Sequence, residues 1–212
     1  MADMKPLLAL SAEAVARIRK AVAADRDHLV SLQEDFRVGS FRETFRWRGR
    51  DLPILPYAGK ILGIGADRVL TIYAGTTGDG ASFFPDKIGG IDLAPGYIPH
   101  DAWYDEMDKI ADDPAWKEAG WTRPAVRALG DLVLARMVER EERKAGAKRP
   151  WIAQGLHGAV RAVGGVYHWL AGLFALSAAV LLLSGCSGCA DLPDGFDPGG
   201  DDPVYIVTPK VL

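Results

Sequence analysis

Apolar residues recur along this chain with two periods, and the change of period divides it. From Ser11 to about Glu34, Val15, Ile18, Val22, Leu29, Leu32 and Phe36 fall three, four or seven residues apart. That spacing predicts one amphipathic helix, capped by Ser11 and packed on its own domain, within an N-terminal element of residues 1–35. From Phe36 to Pro56 the pattern shortens. Phe41, Phe45 and Trp47 partly alternate with Arg37, Arg42, Arg46, Arg48 and Arg50, which predicts a hairpin or edge strands with one packed and one wet face. Val69–Tyr73 is β-branched and reads as a strand. Residues 74–99 hold six glycines and three prolines, which predicts a long irregular segment of the kind that often carries function. It ends at Pro99, suited to the first turn of a helix running from about His100 to Ala111 with Trp103, Met107 and Ile110 inward. A second helix follows Thr122 and runs to about Lys144, with Val126, Leu129, Val133 and Met137 as its inner face.

The pattern changes again beyond Pro150. Residues 162–190 contain no Asp, Glu, Lys or Arg, and 166–185 reach the roughly 20 apolar residues that a bilayer crossing needs. Bases precede this run (Arg140, Arg143, Lys144, Lys148, Arg149, Arg161) and acids follow it (Asp191, Asp194, Asp197, Asp201, Asp202). The asymmetry predicts a single-pass protein of the inner (cytoplasmic) membrane, with a cytoplasmic N-terminus and an outer tail. The expected fold class is α+β, mainly helical with a small antiparallel sheet over residues 36–150. A juxtamembrane helix (151–165), a C-terminal transmembrane helix (166–185) and an acidic tail (186–212) follow. Leu183-Ser184-Gly185-Cys186 also reads as a lipoprotein cleavage box, which makes Cys186 a candidate lipidation site and processing there the alternative location.

Composition narrows the function classes. A net charge of −3 without a basic face gives no nucleic-acid footprint, so no nucleic-acid partner is expected. Cys186 and Cys189 supply only two of the four thiolates of a closed zinc site. Met1–Leu10 lacks the basic and apolar regions of a secretory leader, and no internal repeat is present.

The candidate chemistry lies at the two ends of the glycine-rich segment. Gly78-Asp79-Gly80-Ala81-Ser82 can turn tightly and converge backbone groups on an ion, with Asp79 and Ser82 in the loop. His100-Asp101-Ala102-Trp103-Tyr104 opens the first helix, and histidine can take a proton from water near neutral pH. Helical neighbours point about 100° apart, so Asp101 is placed to hold a cation or a backbone group rather than to pair with His100. Tyr104, one turn on, shares a face with His100 and can support it. The partner carboxylate expected for His100 is Asp131, set in the apolar run Ala128-Leu129-Gly130-Asp131-Leu132, where a buried charge needs a specific partner, whereas Asp105, Asp108, Asp112 and Asp113 read as a solvated acidic face.

Two resemblances follow from these residues. Thr71, Ile72, Gly75, Asp79, Gly80, Ala81, Ser82 and Pro85, then His100, Asp101 and Tyr104, then Gly130 and Asp131, then Ala159, Val160, Arg161 and Gly164 resemble the phage and prophage family called domain of unknown function 1353. This chain has one extra residue before Pro85 and Gly78 where Thr is usual. The resemblance implies a phage or prophage origin, with phage or host envelope proteins and the membrane as partners. The same motif order is similar to the small secreted phospholipases, although their disulfides are absent here. That similarity implies His100 as general base, Asp131 as the carboxylate that orients it, and calcium held by Asp101 with the backbone of Gly78 and Gly80. Together these features lead to a membrane-anchored His–Asp domain that carries out metal-assisted ester or phospholipid hydrolysis. The alternative is a non-catalytic phage lysis or morphogenesis accessory whose motif residues brace the fold.

Overall fold

The structure is a computed structural model and describes residues 28–78, 87–88, 90–147, 151–163 and 192–209. Twelve strands occur among these residues: β1 (His28–Leu32), β2 (Phe36–Phe41), β3 (Thr44–Trp47), β4 (Arg50–Pro53), β5 (Tyr57–Ala58), β6 (Leu62–Ile64), β7 (Val69–Ile72), β8 (Thr77–Gly78), β9 (Lys87–Ile88), β10 (Ile91–Asp92), β11 (Phe196–Pro198) and β12 (Tyr205–Pro209). Four helices accompany them: α1 (Ala94–Asp112), α2 (Pro114–Glu118), α3 (Arg123–Lys144) and α4 (Trp151–Val163). Every pairing is antiparallel. One sheet has the order β11-β2-β7-β6-β5, a second β12-β1-β8, and β3-β4 and β9-β10 form two-stranded ribbons.

Several local readings hold. The Arg-aromatic segment contains the β3-β4 hairpin, joined by Arg48-Gly49 with φ of 49° and 80°. Positive φ at both central residues gives the twist that antiparallel strands prefer in a two-residue turn. Phe45 stacks on Trp121 at 5.9 Å, which anchors the packed face of the hairpin. β7 falls where the β-branched run predicts a strand, and α3 begins after Thr122 and ends at Lys144.

Other expectations are corrected. Residues 28–32, assigned to the end of an N-terminal helix, form β1, and the rest of that helix lies outside the described residues. The segment His-Leu-Val-Ser-Leu suits either period, and pairing with β8 and β12 selects the extended form, burying Val30 and Leu32 on one face. The first long helix begins at Ala94 rather than at His100, so Pro99 lies inside it. Asp92 Oδ1 accepts the Ala94 N–H at 3.0 Å, and Pro95 occupies an early position where a missing N–H costs no helical bond.

The fold class needs a larger correction. Strands are spread over several antiparallel sheets rather than one small one, and no helix among the described residues is long and apolar enough to cross a membrane. The expected span at 166–185 itself lies outside the described residues, as does Cys186. The segments flanking it decide the matter. A single crossing puts residues before and after it on opposite sides of a bilayer. Here Phe196 pairs with Phe41, and Tyr205–Pro209 pairs with His28–Leu32. The C-terminal segment completes two sheets of the same domain, so neither the single-pass inner-membrane location nor the outer acidic tail stands.

The flanking charges have a different meaning in this arrangement. Arg136 Nη2 donates to the Leu192 and Pro193 carbonyls at 3.1 and 3.0 Å and lies 3.3 Å from Asp194. Arg140 donates to the Gly199 and Asp201 carbonyls at 2.5 and 2.7 Å and to Asp202 at 3.1 Å. Lys144 reaches Asp202 at 2.5 Å. These three bases are four residues apart, one face of α3, and they hold the returning segment. α4, read as juxtamembrane, instead packs Ile152, Ala153 and Leu156 into a core with Leu134, Val138 and Leu192.

The main core lies between the five-stranded sheet and the α1–α3 pair, with Val38, Leu62, Leu70, Ile72, Trp103 and Leu129 at or near zero exposure. α3 is buried on more than its predicted face because α1, α4 and the C-terminal segment surround it. Trp103 and Gly130 set the α1–α3 contact. The indole donates to the Val126 carbonyl at 2.9 Å, and a Cβ built on Gly130 would stand 2.3 Å from Trp103 Cδ1.

Two outcomes follow. Gly130→Ala lowers stability by about 1–3 kcal/mol through overpacking, measured by urea denaturation; an unchanged midpoint means that the indole can move away. A chain ended after residue 191 loses β11 and β12, and its thermal unfolding in circular dichroism is expected at a clearly lower midpoint or without cooperativity. Retention of the full-length melt contradicts the role of the returning segment.

Candidate functional site

α1 and α3 bring the nominated residues together. His100 and Tyr104 lie one turn apart on α1, with ring centroids 4.4 Å apart at 39°. Across the helix contact, His100 Nε2 is 3.6 Å from Asp131 Oδ1, and the Tyr104 hydroxyl donates to the same oxygen at 2.8 Å. On the other side of the imidazole, Nδ1 is 3.8 Å from Asp101 Oδ1, longer than a hydrogen bond. Both nitrogens thus face a carboxylate at ion-pair distance, and Nε2 makes no hydrogen bond.

The two carboxylates differ in exposure. The Asp131 side chain is 1% exposed, that of Asp101 27%, and that of His100 15%. The ring thus has one nitrogen facing a buried carboxylate and the other facing a partly exposed one. Asp101 lies against the end of β8, where a Cβ on Gly78 would stand 2.8 Å from Asp101 Oδ2. Only glycine lets the carboxylate approach the strand this closely. Asp79, Gly80 and Ser82 lie outside the described residues.

Electrostatics follow from this placement. Burial of His100 works against its charged form, but Asp101 and Asp131 outweigh burial and raise the pKa above its ordinary 6.5. Burial, then the Asp131 charge, pushes the Tyr104 phenol well above its usual range despite the nearby Arg127, so Tyr104 stays a donor. Among the described residues no group of three His, Cys, Asp or Glu is positioned to hold a metal.

One participant was not nominated from the sequence. Arg127 Nε donates to the Tyr104 hydroxyl at 2.9 Å and lies 3.9 Å from Asp131 Oδ2, while Nη2 donates to the Val160 carbonyl of α4 at 2.7 Å. Its i, i+4 spacing from Asp131 on a helix was the available signal. Behind this group, Trp47, Arg48, Pro124, Arg127, Ala128 and Asp131 line a cavity of about 190 Å³. A larger groove of about 900 Å³ lies elsewhere, between β2, β11 and α3, and its walls are laced with the ion pairs of the returning segment.

Comparison with protein-family models, curated proteins and solved structures finds no match to this chain.

The raised His100 pKa has a consequence for stability. A folded-state pKa above the unfolded one stabilises the fold below about pH 6.5, and that contribution is lost as pH climbs through the folded value. Urea denaturation at several pH values therefore shows stability declining as pH rises above 6.5, and His100→Gln removes that part of the slope. An identical slope in the variant contradicts the carboxylate-flanked imidazolium.

Proposed function

We propose that this protein hydrolyses ester bonds, with phospholipid esters as the favoured substrate class, and that His100 transfers the proton. The observation that carries this reading is the unequal environment of the two imidazole nitrogens: buried Asp131 on Nε2, accessible Asp101 and Gly78 on the Nδ1 side. In this reading the ring proton sits on Nε2, which faces Asp131 across 3.6 Å without a hydrogen bond, and the Nδ1 lone pair takes the water's proton. A water at Nδ1 gives its proton to the ring while its oxygen adds to the ester carbonyl. Collapse of the tetrahedral species breaks the bond to the alcohol oxygen, and the Nδ1 proton passes to that alkoxide. The products are an acid and an alcohol, and the imidazole is neutral again. Tyr104 holds Asp131 in place throughout. A calcium ion held by Asp101 and the Gly78 backbone would polarise the ester carbonyl.

The resemblance to the phage and prophage family supports a phage setting, and the similarity to small secreted phospholipases supports the reaction class. One observation favours a second reading. His100, Tyr104, Asp131 and Arg127 form one polar chain linking α1, α3 and α4, which a bracing role in a non-catalytic phage accessory would also need.

The full-length chain is assayed on soluble esters and short-chain phospholipids, with calcium or chelator. His100→Ala is expected to lose about 100-fold or more in kcat/KM. The base works deprotonated, so the acidic limb of the wild-type profile lies above pH 6.5. Asp131→Asn moves that limb down while lowering kcat. Equal activity of wild type and His100→Ala rules out the catalytic reading and leaves bracing.

A further inference from the structure

We propose that Arg127 is a positioning residue of the His100 site: anchored on the Val160 carbonyl, its guanidinium holds the Tyr104 hydroxyl on Asp131 and so fixes the carboxylate that faces His100. The proposal rests on the reading of His100 as the proton-transfer group.

The direction of the hydrogen-bond chain supports it. A tyrosine hydroxyl rotates and can either donate or accept, whereas arginine only donates. Arg127 Nε–H occupies a lone pair of Tyr104 at 2.9 Å, which leaves the phenolic proton for Asp131 at 2.8 Å. Asp131 thereby accepts one hydrogen bond, on Oδ1 from Tyr104, while His100 Nε2 at 3.6 Å from Oδ1 and Arg127 Nε at 3.9 Å from Oδ2 act on it by charge alone. The planar fork of Arg127 is itself oriented from outside the site, because Nη2 bonds the Val160 carbonyl at 2.7 Å. The placement of α4 against α3 is in this way passed through Arg127, Tyr104 and Asp131 to the imidazole. Hydrogen bonds linked in series also polarise one another, so removal of the first weakens the second.

The test uses the full-length chain and the variants Arg127→Gln, Arg127→Lys, Tyr104→Phe and Arg127→Gln/Tyr104→Phe, each checked for native circular dichroism. On a soluble ester at fixed pH, Arg127→Gln is expected to lower kcat by roughly tenfold or more with KM little changed. Arg127→Lys, which keeps the charge but not the fork, loses less, and it carries the test if the glutamine variant does not fold. On the Tyr104→Phe background the glutamine change adds less than about twofold, because the chain is already broken. An unchanged kcat, or the same loss on both backgrounds, overturns the proposal. Absence of His100-dependent hydrolysis in the wild type is a failure of the hydrolase reading instead. Imidazole ¹⁵N shifts, which need no substrate, then decide positioning. One Nε2–H tautomer in the wild type and a mixture in Arg127→Gln support it; identical shifts overturn it.

Discussion

The contact between Trp103 and Gly130 governs the geometry of this molecule. With no side chain at Gly130, the indole lies on the α3 backbone and donates to Val126. That close approach sets the separation of α1 and α3 at the level of the site. Trp103 is three residues after His100 and one before Tyr104, and Gly130 is adjacent to Asp131. A single steric allowance in the core therefore brings imidazole, phenol and carboxylate within reach of one another. A methyl group at that position would push the helices apart along the line on which the site is built.

Buried carboxylates on the helices find hydrogen-bond donors on neighbouring elements. Glu106 of α1 is buried and accepts from Tyr57 at 2.8 Å and Lys109 at 2.9 Å, tying the β5-β6 ribbon to the helix. Glu142 of α3 is buried and accepts the Ile152 and Ala153 N–H groups at 2.9 and 2.8 Å, so it acts as a distant cap for α4. Burial raises the Glu142 pKa even against these bonds. Asp131 follows the same rule with Tyr104 as its donor. Buried polar contacts of this type cost desolvation and add orientation, so their effect is to specify how elements meet more than to stabilise them.

The C-terminal segment shows how one charge pattern supports two structures. Bases ahead of an apolar run and acids behind it satisfy the rule for membrane orientation. The same order of charges lets Arg136, Arg140 and Lys144 grip residues 192–202 when the chain turns back. Local sequence does not separate these cases, because both need only opposite charge on either side of an uncharged stretch. Strand pairing of 196–198 and 205–209 with β2 and β1 separates them.

Much of the site was legible by itself in the sequence. A lone carboxylate in an apolar helical run had to find a partner, which singled out Asp131. Helical spacing put His100 and Tyr104 on one face, whereas Asp101, expected to point away, lies 3.8 Å from the imidazole. The β3-β4 ribbon, β7 and the bounds of α3 also followed from local periodicity, since turns, β-branching and caps act over a few residues. Tertiary structure alone decided what depends on partners distant in sequence. It chose strand over helix for His28–Leu32 because the pairing residues are at 77–78 and 205–209. It drew the helix start back to Ala94, brought α4 and the acidic segment into the core, and recruited Arg127 through a carbonyl of α4. The physical reason is range: periodicity and caps are properties of neighbours, whereas backbone pairing and the neutralisation of buried charge are settled only when the chain has folded back on itself.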